Sequence, residues 1–253
     1  MVSRLYSAIY LLEKLSNLGA MKVNMQYLTK GGPELNHFID RQAHPARNEY
    51  LDICNLKRFV ESGEYVISNK YVCISTTFET SDVKYKAFIG LDVEIGDEKV
   101  VFNVAKFLAH KLGKSIDVFK TTRGFHFFIP DLVFSGDFEY LTKIFEIAND
   151  ASLRIGDKWV AGYFDCVKKA KTYKDLQQIS REILNNFGHY QARGKYTFFD
   201  LRHIAHGMFE YERQRGISDQ NNGVRTQLFF RITSKNHNDH PPVFIKQFIY
   251  SPS

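Results

Sequence analysis

Two stretches decide how this chain is read: Phe88-Ile89-Gly90-Leu91-Asp92-Val93-Glu94 and Thr121-Thr122-Arg123-Gly124-Phe125-His126-Phe127-Phe128-Ile129. The first is an apolar run ending in two carboxylates spaced i, i+2. Side chains alternate faces along a strand, so Asp92 and Glu94 point one way while Leu91 and Val93 anchor the strand from behind. Paired carboxylates repel each other and are costly to desolvate, which makes them a poor structural device. They suit a divalent cation that also holds substrate phosphates. The second stretch sets Arg123 and His126 around a glycine at the start of another apolar strand, a cationic group suited to phosphate. Acids that bind metal, followed by a basic strand that binds phosphate, point to chemistry on a nucleoside triphosphate.

Working outward, Asp97 opens a helix whose Val101, Val104, Phe107, Leu108 and Leu112 lie on one side, and Gly113 is placed to end it. Helices are expected at 3–18, with Ser3 as N-cap, and at 53–62, 137–149 and 172–187. Strands are expected at 71–77, 86–93, 116–120 and 125–129, then at 226–232 and 242–249. Helices alternating with strands in this way indicate an α/β or α+β fold, with the carboxylate strand and the Arg/His strand in one sheet.

The whole composition sets bounds. The chain has 253 residues, 44% hydrophobic and 25% charged, the balance of an ordinary globular protein at the upper edge of a single domain. Aromatics reach 15%, with 22 Phe and 14 Tyr, and most of these read as core. A net charge of +6 and a pI near 9.0 favour a polyanionic partner. Cys54, Cys73 and Cys166 form no CxxC pair, which argues against a disulfide framework and for a reducing compartment. His189, His203, His206, His237 and His240 lack the Cys partners and close spacing of a structural zinc site. Glu13 and Lys14 interrupt the first apolar run, so it reads as an amphipathic helix rather than a signal peptide, and no run has transmembrane length. The expected location is the cytoplasm, or the interior of a host cell for a plasmid- or virus-encoded protein.

The two motifs resemble those of the archaeo-eukaryotic primase and primase-polymerase superfamily, in particular the primase small catalytic subunit. There an apolar run ends in Asp-x-Asp or Asp-x-Glu, and a Ser/Thr-x-x-Gly-x-His form flows into an apolar strand. The resemblance spans about 38–246, with its specificity in the motifs. It implies a third acid, for which the chain offers Asp165, Asp200 and Asp219. In the family that acid lies twelve residues before a basic residue, which a histidine follows by six. Asp219 meets both offsets, through Arg231 and His237, and is the expected choice. Asp200 is the runner-up, because Phe198-Phe199-Asp200 has the better apolar lead-in.

The resemblance further implies an α+β catalytic core of mixed sheets flanked by helices, built on an RRM-like unit. It implies a single domain over 1–253, without the zinc-binding insertion many small subunits carry. The activity expected is template-dependent nucleotidyl transfer by a DNA primase or primase-polymerase, making RNA or DNA strands from nucleoside triphosphates. Two Mg²⁺ or Mn²⁺ ions would be held by Asp92, Glu94 and Asp219. Arg123, His126, Arg231, Ser234 and His237 would face the triphosphate, with Arg47 on weaker grounds. The partners implied are a single-stranded DNA template and primer, with a primase large subunit, helicase or other replication protein as companion. An end-joining repair polymerase would share this chemistry, and a non-catalytic nucleic-acid-binding subunit would share the fold. A rolling-circle initiator needs two histidines at i, i+2, and Phe125-His126-Phe127 supplies one. Taken singly, each motif has a plain structural explanation: a solvated strand end, a core histidine, a surface arginine. Their joint occurrence in this order carries the reading.

Overall fold

The computed structural model describes residues 2–29, 47–62, 70–83, 86–192, 197–200, 228–231 and 241–251. In chain order these form α1 (Val2–Asn17), β1 (Lys22–Thr29), β2 (Arg47–Asp52), α2 (Ile53–Ser62), β3 (Lys70–Glu79), β4 (Lys86–Val93) and α3 (Glu98–Leu112). There follow β5 (Ile116–Lys120), β6 (Phe125–Phe134), α4 (Asp137–Arg154), α5 (Trp159–Lys169), α6 (Tyr173–Ala192), β7 (Leu228–Arg231) and β8 (Val243–Phe248). The strands join one sheet in the order β2-β1-β3-β4-β6-β5-β8, with β7 paired to β3 off that path.

Every described ladder is antiparallel, which corrects the expectation of mixed sheets. The physical reason lies in the connection through α3. That helix carries the chain from β4 to β5, and β6 then returns between them, pairing with both. β4 and β5 run parallel but never touch. This split β-α-β order is the ferredoxin-like arrangement of an RRM-type unit.

Local chemistry fixes α3 at both ends. The Asp97 carboxylate accepts from the Lys99 and Val100 backbone N–H groups at 2.9 and 3.3 Å, satisfying donors the helix leaves open. Gly113 ends the helix in the left-handed conformation, φ 64°, which favours a residue without Cβ.

Alternation along the strands builds two cores. Ile89, Leu91 and Val93 of β4 and Phe125, Phe127 and Ile129 of β6 pack with residues of α3 to α6, among them Val104, Leu108, Leu141, Ile144 and Leu176. Phe88 and Phe128 face the other way and pack with Leu11, Leu12 and Leu15 of α1, and Leu56 and Val60 of α2. By the same alternation Asp92 and His126 belong to the α1/α2 side, past the helices' cover. Strands β1 and β2 and helix α5 extend the expected elements, and α4 and α6 run longer than their periodicity indicated.

Beneath α1 lies a buried acid. Tyr10 Oη donates to Asp117 Oδ2 at 3.0 Å, and Asp117 is fully buried on β5. Burial pushes the Asp117 carboxyl above its ordinary range, against the opposing pull of Lys14 and the Tyr10 hydrogen bond. A raised carboxyl pKa means the fold penalises the ionised form. Stability is therefore fullest below the unfolded value and falls as pH rises from there through the folded pKa. Asp117→Asn keeps an acceptor for Tyr10 and removes the charge. Its melting temperature should exceed wild type by a few degrees at neutral pH, about 1 kcal/mol, with the advantage vanishing below about pH 4. A difference constant across thermal melts from acid to neutral pH would show that Asp117 ionisation is not the cause.

Candidate active site

The site is assembled where β4 runs out. Among the described residues β3 and β4 pair at Thr77 with Ala87 and Phe78 with Lys86. Beyond those pairs the strands diverge, and β7 takes the edge of β3 that β4 leaves, with Arg231 opposite Cys73. The end of β4 thus keeps an open edge, and residues 197–200 fill it. Glu94 N–H donates to the Phe198 carbonyl at 3.0 Å, Asp200 N–H donates to the Asp92 carbonyl at 2.9 Å, and Val93 bridges to Phe199. In this register Asp200 sits directly opposite Asp92, and cross-strand partners project on one face.

The sequence holds this short pairing in place through its aromatics. Phe198 and Phe199 are buried against Phe127 of β6, with ring centroids 5.8 and 5.5 Å away, both edge-on. Thr197 Oγ1 donates to the Phe199 carbonyl at 2.5 Å and closes the bend before Asp200. Three carboxylates meet as a result. Ligand oxygens of Asp92, Glu94 and Asp200 lie within 4.8 Å of one another, and Asp200 is only 8% exposed.

The basic strand lies alongside. Asp92 is in register with His126 across the β4–β6 ladder, and His126 Nε2 stands 3.4 Å from Asp92 Oδ1. His126 is therefore an immediate neighbour of the acids. The turn before it is closed on itself: Thr121 N–H donates to the Gly124 carbonyl, and Gly124 N–H donates to Thr121 Oγ1 at 2.9 Å. Gly124 passes so near β4 that a Cβ there would lie 2.2 Å from the Val93 carbonyl oxygen. Arg123 is exposed on this turn, and its carbonyl lies near Gly96 in the loop leaving β4. Arg123, His126, Asp92, Glu94 and Asp200 are thus gathered at one end of one strand.

The other expected residues are distributed differently. Asp165 is exposed on α5, 3.8 Å from Lys168, and takes no part in the acid cluster. Arg231 ends β7, which lies against β3 and β4. Arg47 begins β2, at the edge of the sheet remote from the acids. Asp219, Ser234 and His237 lie outside the described residues. Among the described residues the acid that joins Asp92 and Glu94 is Asp200, and its signal in the sequence is the apolar pair Phe198-Phe199 before it. Spacing favours Asp219, whose place relative to this cluster lies outside the described residues.

Among the described residues the donor set is three carboxylates and no soft ligand, which fits a hard divalent cation. Three like charges so near one another, one of them buried, call for positive charge between them.

No protein-family model matches the chain, and no curated protein does. Among solved structures it is similar to the polymerase domain of Ligase D from Mycobacterium tuberculosis, a structure determined in complex with DNA. The identity is 11% and the TM-score 0.32, over 57% of this chain and 61% of that one, so the likeness spans less than two thirds of the neighbour's length. Among the described residues no helix is long and apolar enough to cross a membrane.

Proposed function

We propose that this chain is a template-dependent nucleotidyltransferase of the primase–polymerase type. The observation that carries the reading is the meeting of Asp92, Glu94 and Asp200 at one strand end, with His126 against Asp92. Asp92, Glu94 and Asp200 would hold Mg²⁺ or Mn²⁺, with Asp219, which the spacing favours, as the alternative third acid. When bound, such ions stabilise the attacking and leaving oxygens of an in-line displacement. The 3′-hydroxyl of the growing strand gives its proton to water as its oxygen bonds to the α-phosphorus, the bond from that phosphorus to the α–β bridging oxygen breaks, and pyrophosphate leaves.

The chain's own part is placement. The triphosphate brings about four negative charges, which need fixed donors on the side away from the primer. His126 and Arg123 stand at the same end of the sheet as the acids, and Arg231, Ser234 and His237 are proposed to complete the set. The acids lie on the sheet face opposite α3 and α4, the face an RRM-type unit leaves for nucleic acid.

The test is strand synthesis by the full chain on a single-stranded DNA template, with and without primer, in Mg²⁺ and in Mn²⁺. Incorporation of labelled nucleotide that chelator abolishes is the expected result. No incorporation from either ribo- or deoxynucleoside triphosphates would leave a non-catalytic nucleic-acid-binding subunit.

The phosphate donors have their own expectation. His126→Ala and Arg231→Ala should each weaken nucleotide binding by about 1.5–3 kcal/mol, the worth of a charge-assisted hydrogen bond, while sparing most template binding. Nucleotide titrations with unchanged affinity in both variants would remove these residues from the site.

A further inference from the structure

Around the turn between α5 and α6 stand Lys168 and Lys169 of the last turn of α5, Lys171, and Lys174 of the first turn of α6, all exposed. Few carboxylates answer them. Asp165 reaches Lys168 at 3.8 Å, but both side chains are well exposed, and such pairs are weak. Asp175 is committed to the backbone, its Oδ2 accepting from the Lys171 and Thr172 N–H groups at 2.8 Å. The Asp175 N–H returns to Thr172 Oγ1 at 3.3 Å, a capping arrangement that occupies the start of α6. Lys169 and Lys174 make no ion pair among the described residues. The Asp175 carboxyl is held below its usual range by the backbone hydrogen bonds from Lys171 and Thr172, then by the Thr172 side chain, and last by the charge of Lys171. On the α5 side, Ala170 N–H donates to the carbonyls of Cys166 and Val167, so the turn is held at both ends. Beside it the Lys168 ammonium lies over the half-buried ring of Phe164, 4.4 Å from its centroid. Four lysines on a braced turn, with an aromatic ring at their edge, match the chemistry of a nucleic-acid backbone with a stacked base.

The turn is separate from the acids. α5 and α6 belong to the helical layer on one face of the sheet, and Asp92 is on the other. α6 is about 28 Å long at 1.5 Å per residue. The chain from Ala192 to Thr197 reaches at most about 18 Å, so the turn stands at least about 10 Å from the site's edge. A strand touching both must bend round the end of the sheet, which a flexible single strand does and a stiff duplex resists.

We propose that the α5–α6 turn is a second nucleic-acid contact, binding the phosphates of single-stranded DNA or RNA that extends beyond the acid site. This deepens the functional reading above, on which its role in template handling rests.

The test compares the full chain with a variant carrying Lys168→Gln, Lys169→Gln, Lys171→Gln and Lys174→Gln, by fluorescence anisotropy in chelator. The probes are single-stranded DNA of about 30 nucleotides, long enough for both contacts, and of about 8, long enough for one. On the long probe the variant should bind about tenfold more weakly, with a log–log salt slope shallower by about 2–3, since each single-strand phosphate contact contributes about 0.7. On the short probe it should match wild type, and the four Lys→Arg changes should keep wild-type binding to both. Unchanged affinity and slope on the long probe overturn the proposal, as does equal weakening on both probes or loss in the Lys→Arg variant. Poly-glutamate competing as well as DNA at equal charge overturns it in favour of an acidic protein partner. Strand synthesis is scored separately: if it fails while lysine-dependent binding of the long probe persists, the enzyme reading falls and this surface stands.

Discussion

Asp92→Ala and Glu94→Ala should each lose nucleotide transfer by about a thousandfold or more while staying folded. Each change withdraws one of the oxygens gathered within 4.8 Å at the end of β4. A metal ion's stabilisation of developing charge is worth several kcal/mol, and about 1.4 kcal/mol is tenfold in rate. Both side chains are only partly buried, so no cavity opens in the core. Relief of carboxylate repulsion should raise the melting temperature slightly, as is common when a functional cluster is dismantled. Loss of rate together with a gain in stability separates this from a folding defect. The same assay ranks the third acid: Asp200→Asn should be as damaging as Asp92→Ala. If Asp200→Asn extends strands at a near-wild-type rate and Asp219→Asn does not, the spacing argument was the better guide. Near-wild-type synthesis by either Asp92→Ala or Glu94→Ala would show that the chemistry happens elsewhere.

Gly124→Ala should be the most damaging small substitution in the sheet. Its added methyl would lie 2.2 Å from the Val93 carbonyl oxygen, which is backbone and cannot swing aside. β6 must move off the end of β4 just where Val93 pairs with Phe125 and Asp92 with His126. Overpacking of this kind costs about 1–3 kcal/mol, or about 2–12 °C in a chain of this size. Nucleotide transfer should fall with it, because the displacement parts His126 from Asp92. A variant that melts with wild type and transfers nucleotide at the wild-type rate would mean the two strands are less closely apposed than described.

Some of this was legible in the residues. The i, i+2 acids could be read from alternation alone, and so could the adjacency of the Arg/His strand, because both lie in regular strands with apolar anchors. Asp97 and Gly113 announced α3 through capping chemistry that needs no tertiary context. β1 carries alternating Val23, Met25 and Tyr27, and α5 carries Val160, Phe164 and Val167 at helical spacing, so both elements have a local signal in the sequence. Asp200 is a different case. Its partner segment is one bridge long, too short for any periodicity, and only the divergence of β3 from β4 makes a place for it. That divergence depends on packing between distant elements, which no local pattern records. A spacing rule taken from the family resemblance led instead to Asp219, which lies outside the described residues.

The open edge of β4 also has a consequence in time. Asp92 and Asp200 are 108 positions apart (200 − 92), whereas β4 and β6 are joined through α3, β5 and one short turn. Contacts between distant positions carry the larger loop-closure entropy and form late relative to local ones. During synthesis the segment bearing Asp200 leaves the ribosome well after β4 to β6, at about 5–20 residues per second. The first two acids therefore exist as a pair before the third docks. The complete three-carboxylate cluster thus arises after the β4–β6 ladder, on the arrival of a segment synthesised later.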